Sequence, residues 1–539
     1  MRTRSASSID GVLRSAILVL ATGLLAGGLL IAGSNAGRSE IWISMGITAL
    51  AICFLLAGNH RLFCLYGIII VAPLALSKNF VPIPNMGGAG SFAIDAVDPL
   101  VLILLGFQLR DIAAGRARWT VTPMAKWVAA MMALGVVQMV LWPTGKVTAG
   151  QWSASMLTMQ ELVRMAKCYL LFFVIVNEVV RERQVMHVLV AIIGAVVLQS
   201  MLGIVQGVFR IDLGLQRLGE AGVETIKQAA TGTYAGRGAS EGFRSNALLG
   251  HPNLLSAFLA MQLPICIALM FSRLSAFVRM MLGVAVLLGS AALIMTLSRS
   301  GWFSFAAAVV LLFALSFVHP RLQRRFLFAR VAAIAFMVII AASFSGAIIR
   351  RFTESDPGAL NFRLEWNRAA WGMVAEQPVF GFGLNTFIYH LPGRTNYGAA
   401  TGLTDTFGAA WPVVHNIYLL TWSEQGTLGF IFFLGMFGSI FAAAIRNIQR
   451  YYSDVLFAVN LGLLCGVVAL CVDGLASFYL RVAGPARMFW VIAALVFVID
   501  NWNRANARRF QPQPAAAPAP APRSPVPASP DTPEAPATA

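Results

Sequence analysis

Charge is scarce in this chain. Only 12% of its 539 residues are Asp, Glu, Lys or Arg and 58% are hydrophobic, where soluble domains carry roughly 25% charge and about 45–50% apolar residues. A soluble globular protein is excluded on that ground. Cysteine is equally uninformative as chemistry. All six cysteines, Cys53, Cys64, Cys168, Cys266, Cys465 and Cys471, fall within apolar runs. None stands at a metal-ligand spacing or in an exposed loop, which argues against disulfides and zinc. The chain also lacks a phosphate loop, an ATPase motif, a DxD-like acidic pair and any His/Cys cluster. ATP-driven or metal-dependent chemistry therefore has no residues to rest on, and no metal or cofactor is expected. No internal repeat is visible, so an inverted-repeat transporter plan has no support. Acidic residues are outnumbered, 23 against 40 Lys and Arg, for a net charge of +17. In a soluble protein that excess would suggest nucleic acid. Here much of it reads as loop charge that orients membrane spans, and no nucleic-acid partner is expected.

What remains is a succession of apolar runs, each near the ~20 residues that cross a bilayer as a helix. The expectation is an all-α polytopic integral membrane protein with about fourteen transmembrane helices. They are placed at 14–32, 41–58, 63–77, 94–109, 124–142, 163–177, 186–208, 253–271, 280–297, 301–318, 328–349, 416–444, 455–475 and 485–500. One alternating set of short loops carries Arg2 and Arg4, Arg61, Arg110, Arg116 and Arg118, Arg181 and Arg183, Arg273 and Arg279, Arg321, Arg324 and Arg325, and Arg446 and Arg450. The positive-inside rule makes these cytoplasmic, together with both termini. Met1 to Ile31 mimics a secretory signal, but further spans follow, so an uncleaved first helix is expected. The Pro/Ala-rich end from about Gln511 reads as a disordered tail.

The opposite, outer side holds two long polar stretches, 210–252 and 350–414. A structureless connection as long as the second is uncommon unless functional or disordered, and its aromatics, arginines and glycines speak against disorder. It ends at His415, where loop meets span. Imidazole suits proton transfer near neutral pH, and a helix N-terminus disfavours its protonated form. A histidine bonded to a loop carbonyl is the plain alternative. Asn416 can cap the helix that follows, and Glu424 falls well into the span, where a carboxylate needs a partner. Arg299 occupies a tight hairpin, Leu297-Ser298-Arg299-Ser300-Gly301-Trp302. Its planar fork of donors suits phosphate oxygens, although an interfacial arginine can equally snorkel to lipid headgroups.

Within the long loop, Arg363, Trp366 and Ala370 share a helical face, with Arg368 nearby. Arg237 and Arg244 precede Gly250-His251-Pro252-Asn253, where Pro and Asn fit a helix start, so His251 and Asn253 are explained by structure about as well as by catalysis. Asp473, Arg481 and Arg487 cluster at the last hairpin, either pairing among themselves or with Asp473 anchoring a basic site. Glu161, Arg164 and Lys167 read as an internally neutralised helix face. Outward arginines and one histidine around a membrane-embedded chamber suit an anionic, lipid-linked substrate.

These stretches in this order resemble the O-antigen ligase and Wzy polymerase family. The resemblance rests on GHPN at 250–253, SRSGW at 298–302, the Arg363…Trp366/Trp371 helix, GFGLNTF at 381–387 and HNIYL…EQG at 415–426. It implies a metal-independent, inverting glycosyltransferase with a GT-C-like helical fold in the bacterial inner (cytoplasmic) membrane, its active site facing the periplasm. The donor it implies is a glycan on undecaprenyl pyrophosphate. The acceptor is either lipid A-core, for a ligase, or another lipid-linked glycan, for an O-antigen or exopolysaccharide polymerase. The span count and the DAVDPLVLILL stretch at 95–105 lean toward the polymerase. By motif position, Arg299 and Arg363 would bind the pyrophosphate and His415 would assist the acceptor hydroxyl. Arg244, Asn416, Glu424, Arg368 and Arg487 form a second tier. The implied partners are this donor, the acceptor, membrane lipids and other polysaccharide-assembly proteins. The chain then divides into a cytoplasmic N-terminus (1–13), an N-terminal bundle (14–240), a ligase-like core (241–445), a C-terminal hairpin (446–504) and the tail (505–539). A transporter or flippase of an anionic lipid-linked saccharide is the alternative. It would place charged residues deep in several spans, whereas here the arginines gather on one side.

Overall fold

The computed structural model describes residues 58–74, 76–82, 91–141, 154–221, 243–318, 346, 357–390 and 413–510. The expected spans 14–32, 41–58 and 328–349 lie almost wholly outside these residues, as do both termini. Among the described residues the protein is mostly helical. We number the helices α1 (His60–Val71), α2 (Asp98–Ala113), α3 (Met124–Leu141), α4 (Ala154–Glu178), α5 (Glu182–Phe209), α6 (Pro252–Met270), α7 (Ala276–Met295), α8 (Arg299–Val318), α9 (Pro357–Glu376), α10 (Phe387–His390), α11 (Ile417–Gln449), α12 (Asp454–Asp473) and α13 (Ala483–Phe510). Seven of the described helices are long and apolar enough to cross a membrane: α5, α6, α7, α8, α11, α12 and α13. The protein is therefore a multi-pass membrane protein.

The layout departs from expectation in three places. The region after α1 is not purely helical, because Ser77–Pro82 (β1) and Ser91–Asp95 (β2) form an antiparallel hairpin. The sixth expected span begins earlier, at Ala154 rather than 163. Its first half carries Glu161, Arg164 and Lys167, which end the apolar run in the sequence. In the fold Arg164 pairs with Glu161, while Lys167 reaches Asp95 (2.5 Å) and Asp98 (2.7 Å). The last helix runs on to Phe510, past the expected boundary at 504.

At the centre, α6, α12 and α13 are buried nearly all round, as helices apolar on every face should be. Hydrophobicity cannot drive helices together within lipid, so small residues that admit close backbone approach decide the packing. Gly462 and Gly466 on α12 do this. A Cβ on Gly462 would lie 2.5 Å from the Cα of Ile265 on α6, and one on Gly466 would strike the carbonyl of Met261. Pro264 interrupts α6 at the same crossing. Outer helices show the opposite pattern: Phe277, Met280 and Val284 on α7 and Phe303 and Val310 on α8 are exposed apolar side chains, the composition of a lipid-facing surface.

Charges near the helix ends are paired across the bundle. Arg61 joins Asp111 and Glu178, Arg273 joins Asp454 (2.9 Å), and Arg446 joins Asp500 (2.8 Å). These pairs gather the arginine-bearing ends of α1, α11 and their neighbours at one end of the bundle, opposite His415.

Helix α11 breaks inside. Gly426 has φ 63° and ψ −170°, a conformation open to glycine and strained for other residues. The stretch from Thr427 to Gln449 is long enough, at ~1.5 Å per residue, to cross a ~30 Å hydrocarbon layer without the turns before Gly426. Glu424 is thus not mid-span, as its distance from His415 suggested, but near the His415 end of the crossing. Buried backbone groups freed by a break need partners. The segment 378–383 supplies them: Phe382 N–H donates to Ser423 O (3.1 Å) and Gly383 N–H to Glu424 O (2.8 Å), while Thr427 N–H donates to Pro378 O (2.8 Å). Gly381 allows this contact, since a Cβ there would lie 2.5 Å from the Glu424 carbonyl oxygen.

Gly466→Val should lower the detergent thermal-unfolding midpoint, by an overpacking cost of about 1–3 kcal/mol. Gly438→Ala, on α11 with nothing within 4 Å of its would-be Cβ, should leave the midpoint unchanged or raise it slightly. Equal midpoints for the two variants would show that the α6–α12 crossing does not depend on its glycines.

Candidate active site

Of the helices that begin at the His415 end of the bundle, α6, α8 and α11 start close together. Each start exposes backbone N–H groups and the positive end of a helix dipole. His251 caps α6 by accepting the Asn253 N–H on Nδ1 (3.1 Å). Asn416 caps α11, accepting from Tyr418 N–H (3.0 Å) and Leu419 N–H (3.1 Å). The start of α8, at Arg299, is drawn in because Gly301 lets it touch Ser256 on α6. The end of α12 meets the start of α11, where Ile417 N–H donates to Gly474 O (3.0 Å) and Ser477 O (2.9 Å).

Into this convergence project residues distant in sequence. His415 lies edge-on to Phe478, ring centres 5.1 Å apart, with the Arg363 guanidinium near enough to disfavour its protonation. Arg244 is pinned from two sides, its Nε donating to Thr296 O (2.9 Å) and its Nη2 to Asn253 Oδ1 (2.6 Å). Asp473 accepts from Ser477 Oγ at 2.7 Å, with Ser300 beside the same carboxylate and Arg363 within electrostatic reach. Its other oxygen, Oδ1, is buried with no hydrogen-bond partner among the described residues. Tyr479, also buried, faces Asp473, Arg363 and Arg244 and lies against Asn253.

Protonation follows from this setting. Burial first, and the Arg363 charge second, push the His415 imidazole down to about 4, against a smaller opposing effect of the Val413 carbonyl. Burial, Arg244 and then His415 push His251 down to about 3. Burial raises the Tyr479 hydroxyl above its ordinary value. Around neutrality both imidazoles are uncharged and the phenol keeps its proton. His415 is then a neutral base set among guanidinium groups, an arrangement suited to taking a proton where negative charge is also held.

The structure sorts the sequence candidates. His415, Arg363, Arg244 and the α8 start bearing Arg299 come together. Arg299 and Arg363 are half-buried, and among the described residues neither makes a side-chain hydrogen bond or ion pair. Arg363, Trp366 and Ala370 do share a face, with Trp366 and Ala370 buried, whereas Arg368 is exposed on another side of α9. Glu424 and Arg487 hold structural posts. Glu424 pairs with Arg481 and accepts the N–H groups of Asn385 (2.9 Å) and Phe387 (3.1 Å). Arg487 binds Asp95 (3.0 Å) and the Leu74 carbonyl (3.1 Å). Asp473, Arg481 and Arg487 therefore do not pair with one another. Tyr479 and Ser300 were not singled out from the sequence. Tyr479 stands two residues before Arg481 in an otherwise apolar stretch, and only its neighbours in space mark it. Among the described residues no group of three or more His, Cys, Asp or Glu is gathered as a metal ion would need.

Taken together, this is a membrane protein with a buried, cationic, base-containing site at one end of its helical bundle. Residues 284–434 match the family model described as O-antigen ligase, Wzy_C. The match covers less than a third of the chain. No curated protein matches the chain. The matched stretch contains Arg299, Arg363 and His415, while Arg244, His251, Asp473 and Tyr479 lie outside it.

The two depressed histidines set a stability window. Each is neutral when folded and has an ordinary value of 6.5 when unfolded. Their contribution is complete above pH 6.5 and is lost progressively as the pH falls toward 4 and below. Thermal midpoints should decline through that range, and His415→Gln should flatten the decline. An unchanged pH dependence in that variant would show that His415 is not buried as a neutral group. Glu424→Gln removes one of the two carboxylates that meet Arg481 and leaves the buried network with an excess positive charge, which should cost on the order of 3 kcal/mol of stability, read as a fall in thermal midpoint. An unchanged midpoint would remove its structural role.

Proposed function

We propose that this protein is a membrane glycosyltransferase that transfers a glycan from an undecaprenyl-pyrophosphate donor to an acceptor hydroxyl, on the periplasmic face of the bacterial inner membrane. The observation that carries the reading is the neutral, buried His415 beside Arg363, at a point where three helix N-termini meet. Anions favour such N-termini. The donors of Arg299 and Arg363, which make no side-chain hydrogen bond or ion pair among the described residues, supply the planar, charge-assisted hydrogen bonds that phosphate oxygens accept.

The reaction follows from these groups. The acceptor hydroxyl oxygen attacks the anomeric carbon of the donor sugar from the face opposite the phosphate. A new carbon–oxygen bond forms as the bond from that carbon to the phosphate oxygen breaks. The leaving undecaprenyl pyrophosphate keeps the bonding electron pair, and the configuration inverts. His415 takes the acceptor proton. Arg299 and Arg363 stabilise the charge that grows on the pyrophosphate, so no divalent cation is required for that purpose.

The periplasmic placement rests on the charge distribution. Arg61, Arg273, Arg446 and their neighbours gather at the end opposite His415, and the positive-inside rule makes that end cytoplasmic. Transport of an anionic lipid-linked saccharide fits less well. The buried charges Glu424, Arg481, Glu161 and Arg164 are paired with one another in one network, so none is left over to accompany a moving anion.

His415→Ala and Arg299→Ala should each lower glycan transfer by about 10²-fold or more while membrane insertion and folding persist. Full activity in either variant refutes the assignment. Initial rates should hold as pH falls through 6.5 and drop only toward about 4, where His415 protonates. Arg363→Gln should move that acid limb upward. Reconstituted protein with a labelled lipid-linked repeat should turn over in the presence of a chelator, and a strict divalent-metal requirement would overturn the mechanism. In the same assay, a ladder of lengths without lipid A-core identifies a polymerase, and a single acceptor-dependent product a ligase.

A further inference from the structure

We propose that His251 is a second substrate-binding side chain, donating its Nε2–H to a phosphate oxygen of the lipid-linked donor while its Nδ1 caps α6. The inference rests on the donor assigned above and extends the site to a residue outside the matched family stretch.

The cap fixes the tautomer. Nδ1 accepts the Asn253 N–H at 3.1 Å, so in the neutral ring the proton resides on Nε2. Neutrality is secured by burial beside Arg244 and His415. Nε2 lies across the ring from the cap and has no hydrogen-bond partner among the described residues. His251 therefore cannot serve as the base while the cap holds, and His415 is left for that role. What His251 offers is a rigid N–H donor with no charge of its own.

Its surroundings favour an anionic oxygen as the acceptor. Arg244, the start of α6 and His415 all face it, and Arg244 is locked to Asn253, two residues on, at 2.6 Å. The same Asn253 lies against Tyr479, which faces Arg363. The cap, Arg244 and Tyr479 are thus linked through one asparagine, which sets the His251 ring beside Arg244 and within electrostatic reach of His415. A phosphate oxygen that leaves the anomeric carbon must lie among such groups. A neutral donor there stabilises growing negative charge without competing for the proton that His415 receives.

Two substitutions separate the cap from the donor. In His251→Asn the side-chain oxygen can take the place of Nδ1 and keep the cap, but nothing reaches the Nε2 position. In His251→Gln an amide N–H reaches that position, but the cap is weakened. Binding of undecaprenyl pyrophosphate to the full-length protein in nanodiscs is measured beside thermal unfolding. His251→Asn should keep the wild-type midpoint and lose roughly tenfold or more in affinity for this lipid. His251→Gln should show a lowered midpoint with affinity nearer the wild type. If His251→Asn binds as tightly as wild type, His251 is only a cap and the inference falls while the donor assignment stands. If wild-type protein itself shows no saturable binding of undecaprenyl pyrophosphate, the donor assignment falls and this inference with it.

Discussion

A buried carboxylate, Glu424, ties the His415 end of the molecule together. It lies just before the break in α11, where the backbone turns at Gly426 and leaves carbonyl and amide groups to be satisfied away from water. Its oxygens collect the Arg481 guanidinium and the N–H groups of Asn385 and Phe387, which holds the 383–387 turn against the broken helix. Arg481 reaches on to Glu161 of α4. Isolated charges are costly in such a place, and a closed network of opposite charges and backbone donors is how that cost is offset. Because Arg481 ends the short turn that begins at Tyr479, the same network fixes the Tyr479 side of the site.

The site built on this scaffold is electrostatic in design. Three helix starts, Arg244, and the guanidinium groups of Arg299 and Arg363, which make no side-chain hydrogen bond or ion pair among the described residues, give it a cationic character. Burial among those charges keeps His415 and His251 neutral. Under the proposed reaction, the positive surroundings that disfavour protonation of the histidine also receive the pyrophosphate, so one arrangement serves both leaving-group stabilisation and proton acceptance. Asp473, with one buried oxygen lacking a hydrogen-bond partner among the described residues, is the acidic member of this cationic set.

Much of this was legible in the residue order. Asn416 at the head of an apolar run signals a cap, and it caps. The spacing of Arg363, Trp366 and Ala370 signals one helical face, and the helix buries Trp366 and Ala370 together. Other residues misled because their partners are remote. Glu161, Arg164 and Lys167 read as a helix face neutralised within itself, which holds for Glu161 and Arg164, whereas Lys167 is met by Asp95 and Asp98 from another element. Glu424 and Arg487 looked available for substrate for the same reason: an unpaired charge in a sequence gives no sign of the ion that meets it after folding.

The sequence alone determined that this protein lives in a membrane, that its polar residues concentrate in a few stretches between spans, and which histidine and arginines close those stretches. Apolar run length and residue chemistry are local properties, readable without a fold. Only the tertiary structure decided which polar residues meet. Every span is apolar, so hydrophobic pattern cannot say which helix faces which. That choice was left to Gly462 and Gly466 against α6, to Gly301 against Ser256, and to the paired charges. Their contacts bring His251 to His415 and Tyr479 to Arg363, across separations in the chain that no spacing rule can read.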